Sequence, residues 1–90
     1  MSLEEIRCCM RRIMCAQEQC RKESRANRKH LDKLKGRIER GEDVSEQQMN
    51  DLLRRGNELL QKANHLARDM EFLEHAKLDH AEFSGKEEIR

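Results

Sequence analysis

Residues 41–48 read Gly41-Glu42-Asp43-Val44-Ser45-Glu46-Gln47-Gln48, a stop followed by a start. Gly41 tolerates the left-handed backbone that ends a helix. Ser45 and Gln48, three residues apart, form a capping box in which each side chain serves the other's backbone donor. Val44 and Met49 sit where a hydrophobic staple would clamp the lead-in to a new helix. A helical pattern fills the chain on either side. The spacing predicts a helix over 3–40, a turn over 41–45, a second helix over 46–83 and a frayed tail over 84–90, with Ser84-Gly85 as the stop.

The first helix has its own opening signals. Ser2 and Glu5 repeat the capping box, and Met1 with Ile6 repeats the staple. A 3-4 spacing then runs through Leu3, Ile6, Met10, Ile13, Gln17, Cys20, Ser24, Asn27, Leu31, Leu34 and Ile38, as in a heptad seam. The middle of that stripe, Gln17 to Asn27, is polar and reads as a loose, partly wet stretch. In the second helix the stripe is Met49, Leu52, Gly56, Leu59, Ala63, Leu66, Met70 and Leu73. It weakens beyond Leu73, and Phe83 is expected to restore contact near the open end.

Folding the chain at 42–45 sets the two stripes in antiparallel register. Ile38 then faces Met49, Leu34 faces Leu52, Leu31 faces Gly56, Cys20 faces Leu66 and Ile13 faces Leu73. Leu59 completes this hairpin seam. Rows left over beside the seam, Leu53, Leu60 and Ala67 on one helix and Cys9, Met14 and Ala16 on the other, broaden the apolar face beyond what one partner helix covers. Two helices bury little by themselves. The expected fold class is therefore all-α, an antiparallel helical hairpin of two long coiled-coil helices, dimerising into a four-helix bundle through Leu53, Leu60, Ala67, Cys9 and Met14. A competing geometry is one continuous helix through Gly41, because a 3-4 frame also carries across the turn to Leu52, Leu59, Leu66 and Leu73.

Composition agrees with helices of this kind. Of 90 residues, 41% are charged, 2% are aromatic and none is proline, the signature of long helices or coiled coil. The formal charge is only +1, yet it is unevenly spread. Residues 1–40 hold twelve Lys/Arg and six acids; residues 41–90 hold seven and twelve. A basic helix followed by an acidic one favours their pairing, within or between chains. No apolar run approaches the roughly 20 residues that span a bilayer, and arginines interrupt the start where a signal peptide would be apolar. Four cysteines on one helix are poorly placed to bridge each other, so reduced thiols and a cytoplasmic or nuclear setting are expected.

Candidate chemistry is sparse. Cys8, Cys9, Cys15 and Cys20 contain no C-x-x-C pair, and Glu71, His75 and Asp79 share a face that would at most chelate weakly, so neither a metal nor a cofactor is expected. Cys8-Cys9, flanked by Arg7 and Arg11, suits S-palmitoylation beside an anionic membrane. Residues 21–37 carry eight Lys/Arg and two acids, a net of +6 that would attract phosphates. The candidate nucleic-acid contacts are Arg21, Lys22, Arg25, Arg28 and Lys29, although no aromatic lies nearby to stack on bases. No phosphate loop and no nucleophile–base–orienter set is visible, and a two-helix arm offers no deep pocket. The expectation is a non-enzymatic module for protein–protein interaction and self-assembly, partnering itself or helical segments of other proteins. Nucleic-acid binding and a palmitoylated, membrane-associated adaptor are the alternatives.

Overall fold

A computed structural model describes residues 2–89 of the chain, and the side chains of residues 2–80. The chain forms two helices, α1 (Leu3–Glu39) and α2 (Glu46–Ile89), packed antiparallel as an elongated hairpin with extents of 74 × 17 × 15 Å. The single continuous helix is thereby excluded. α2 runs past the expected stop at Ser84-Gly85. A lone glycine with no proline behind it costs a helix only about 1 kcal/mol, too little to end it. The closing contact expected of Phe83 lies outside the described side chains.

Local chemistry sets the helix limits. The Ser2 hydroxyl accepts from Glu5 N–H at 3.2 Å, and the Ser45 hydroxyl accepts from Gln48 N–H at 3.3 Å. Each satisfies a donor the first turn would leave unpaired, worth about 1 kcal/mol. At the end of α1, Gly41 takes a φ of +79°. Glu42 N–H donates to Arg37 C=O and Gly41 N–H to Ile38 C=O, both at 2.9 Å. This pair of bonds is the Schellman closure. The two flanking positions that usually meet as hydrophobic residues are here Arg37 and Glu42, which form an ion pair at 3.4 Å.

The buried residues of α1 are Ile6, Cys20, Asn27 and Leu34, separated by seven or fourteen positions. Among the described side chains of α2 they are Leu59 and Leu73, fourteen apart, with Leu52 and Leu66 half-buried before and between them. Three bonds across the hairpin fix the register. Cys20 Sγ donates to Leu59 C=O at 3.4 Å, and Asn27 Nδ2 to Leu52 C=O at 3.1 Å. Arg55 reaches Glu23 at 3.0 Å. Seven residues up α1 match seven residues down α2. Counting outward by the same step sets Ile13 beside Leu66 and Ile6 beside Leu73.

This register corrects the expected one. Cys20 lies against Leu59 rather than Leu66, and Asn27, not Leu31 or Leu34, packs at the level of Leu52 and Gly56. The offset is four to seven residues, or about one to two helical turns. Its cause is the connection. Residues 42–45 are not helical, and an extended residue covers about 3.3 Å against 1.5 Å in a helix. The chain doubles back along α1 before α2 starts, so α2 begins beside Leu34 and the last turn of α1 overhangs it. Ile38, expected in the seam opposite Met49, is on that overhang and is 51% exposed.

Candidate functional site

The polar middle of α1 is tightly packed at two positions, Cys20 and Asn27, and open between them, where Ser24 is exposed. Cys20 is 3% and Asn27 8% exposed, and both donate to carbonyls of α2. Among the described residues no buried side-chain nitrogen or oxygen lacks a hydrogen-bond partner. Gly56 makes this packing feasible. A Cβ there would sit 3.3 Å from Asn27 Nδ2, so any larger residue would push the amide away from Leu52.

One flank of the hairpin carries the residues of most interest. On α2, Leu53, Gly56, Leu60, Ala63 and Ala67 follow a 3-4-3-4 spacing and therefore share one stripe. Gly56 and Ala63 are half-buried at its inner edge, while Leu53 and Leu60 are 51% and 60% exposed and Ala67 is exposed. Ala63 shares a groove of about 430 Å³ with Gln17, Cys20, Arg21, Ser24 and Arg25 of α1. Ala63 and Ser24 have little side-chain bulk, which is why the groove exists. Met14, seven residues before Arg21 and so on the same flank, is also more than half exposed. The groove is thus lined by the small Ala63 and Ser24, by Gln17 and Cys20 and by the basic Arg21 and Arg25, with Leu60 of α2 and Met14 of α1 exposed along the same flank beside it.

The remaining candidates fall as follows. Of the seam residues, Leu34, Leu59 and Leu73 are buried, and Ile13, Leu31, Met49, Leu52 and Leu66 are half-buried. Cys8 and Cys15 are exposed, Cys9 is half-buried and Cys20 is buried. Arg21, Lys22, Arg25, Arg28 and Lys29 are all exposed, and Arg21 pairs with Glu18 at 3.3 Å. Among the described residues no three His, Cys, Asp or Glu side chains gather closely enough to hold a metal ion. No described helix is long and apolar enough to cross a membrane.

Sequence reasoning named the Leu53/Leu60/Ala67 row but missed that α1 contributes Gln17, Arg21, Ser24 and Arg25 to the same groove. The signal was present in the 3-4 spacing of Met14, Gln17, Arg21 and Ser24, but only the true register brings them alongside Ala63. The fold is that of a small all-helical hairpin whose general shape suits a protein–protein interaction module. No protein family, curated protein or solved structure compared with the chain matches it.

Proposed function

We propose that the chain is a non-enzymatic coiled-coil module for protein–protein interaction and self-assembly, an adaptor or scaffold element working in the cytoplasm or nucleus. The observation that carries this reading is the exposed Leu53/Leu60 stripe beside the groove. Leaving two leucines in water forgoes several kcal/mol that a partner helix would recover. Apolar residues at seven-residue spacing are also what a helix presents to another helix. The seam residues hold the hairpin, the stripe supplies affinity and the charges around it choose the partner. Pairing two hairpins along this flank gives an antiparallel four-helix bundle. Sedimentation of the full chain tests the reading. The wild type should run above 10.7 kDa, and Leu60→Asp should run at that mass while keeping its helical circular dichroism. An unchanged mass for the variant would remove Leu60 from the interface.

A second reading, nucleic-acid binding, draws support from the basic strip of residues 21–37. In the observed register most of it lies along residues 46–60 of α2, which carry three acids and two arginines and so balance little of its +6. Duplex binding that weakens steeply with salt and vanishes when Arg25, Arg28 and Lys29 become Glu would favour it. The palmitoylated alternative requires hydroxylamine-labile membrane attachment that a Cys8→Ser, Cys9→Ser variant lacks.

A further inference from the structure

The flank that carries the groove has the exposed leucines Leu53 and Leu60, the exposed arginines Arg21 (paired with Glu18) and Arg25 and, further along the rod, an acidic stretch. Residues 69–80 hold four acids and one lysine, opposite in sign to residues 21–37. Within one hairpin these two segments never meet, because the antiparallel register sets residues 69–80 beside the first dozen residues of the chain. Glu74 lies seven residues beyond Ala67, on the groove flank, and Glu71 lies four beyond it. Arg21 and Arg25 line the groove itself.

We infer that the groove receives a second copy of this chain, laid antiparallel with α1 on α1 and α2 on α2, so that Arg21 and Arg25 of each hairpin reach diagonally across the groove to Glu71 and Glu74 of the other. The inference rests on the self-assembly reading and specifies its geometry. Two further observations support it. First, bringing those charges together puts the two-fold axis beside Ala16. Counting along the observed register, the same axis sets Leu60 of each copy level with the Met10–Met14 turn of the other. Charge matching and apolar matching thus select one arrangement, although only the charges were used to choose it. Second, the area fits. A compact monomer of this mass exposes about 5,500 Å², whereas this chain exposes 7641 Å². A standard interface takes about 800 Å² from each partner, well within that surplus. The contact is isologous, so each ion-pair cluster forms twice.

Sedimentation equilibrium on full chains tests the arrangement. Arg21→Glu with Arg25→Glu sets acids against acids at both clusters. Glu71→Arg with Glu74→Arg sets bases against bases. Each double variant alone should dimerise at least about tenfold more weakly than the wild type. An equimolar mixture of the two should regain the dimer mass, because both clusters are then of opposite sign. Circular dichroism verifies that each variant remains helical. A mixture that stays monomeric, or double variants that dimerise as the wild type does, overturns this geometry. If Leu60→Asp still breaks the dimer, the self-assembly reading survives that result. A monomeric wild type would remove both.

Discussion

The Asn27 amide donates across the hairpin to the backbone carbonyl of Leu52, at 3.1 Å, from a position only 8% exposed. A leucine side chain in its place would pack at many axial offsets. An amide aimed at one carbonyl is satisfied at one offset, so the bond selects the register as well as adding stability. Asn27→Ala should cost about 1 kcal/mol, the net worth of such a bond. Asn27→Asp, nearly isosteric, should cost about 2–3 kcal/mol at neutral pH, because an acceptor then faces an acceptor in a buried site. Burial favours the neutral acid, so the excess cost of Asp should shrink as pH falls. Urea unfolding of both variants measures this. An Asp variant as stable as the Ala variant would mean that the Leu52 carbonyl is not the partner.

Two of the helical glycines, Gly36 and Gly56, should respond differently to alanine. At Gly36 a Cβ meets only the end of the Arg40 side chain, at 3.6 Å, an ordinary contact. Gly36→Ala should therefore gain about 0.5–1 kcal/mol from helix propensity alone. At Gly56 the new Cβ lies 3.3 Å from Asn27 Nδ2. Part or all of the same gain is lost in displacing the amide. Thermal unfolding should place the Gly36 variant above the wild type and the Gly56 variant below the Gly36 variant; equal gains would contradict the tight packing at Gly56.

At Gly41 nothing lies within 4 Å of an added Cβ, yet φ is +79°. The effect of Gly41→Ala is then purely conformational, a loss of about 1–2 kcal/mol. Gly41→Asn should lose less, since Asn tolerates the left-handed region better. Chemical denaturation that ranks Ala and Asn alike would argue that the Schellman closure is not what holds this end.

The cysteines report hairpin opening. Cys8 and Cys15 should alkylate fast, Cys9 more slowly and Cys20 slowest, because its sulfur is buried against Leu59. Mass spectrometry of peptides after timed maleimide treatment gives the order. The protection of Cys20, and the smaller protection of Cys9, should disappear in denaturant, where Cys8 and Cys15 change little. Equal rates for Cys15 and Cys20 in the native protein would be incompatible with the packing described.

The local devices of the fold were legible because each is written within a few residues. Ser2 and Ser45 cap as their spacing implies, and Gly41 takes the backbone that no other residue type adopts as cheaply. The spacing of the buried residues was legible too, from Ile6 through Leu34 and from Leu52 through Leu73. The axial offset between the helices was not. It depends on how far residues 42–45 travel, which no side-chain pattern encodes, and an apolar stripe matches its partner almost equally well one turn away. For the same reason Ile38 looked like a seam residue and stands on an overhang. Asn27 and Cys20 looked like weak points because side chains reveal their polarity and not their partners, which here are backbone carbonyls of α2. The groove was half legible: its α2 wall follows from composition, while its α1 wall depends on the offset.

The Schellman closure carries a charged pair, Arg37 and Glu42, where the usual version carries an oily one. Both side chains are about half exposed, so water and dissolved ions compete for them directly. The bend is consequently set by its backbone, and the pair around it responds to the surrounding electrolyte. Brine therefore weakens the charged clasp around the elbow while the two backbone bonds that make the elbow stay closed.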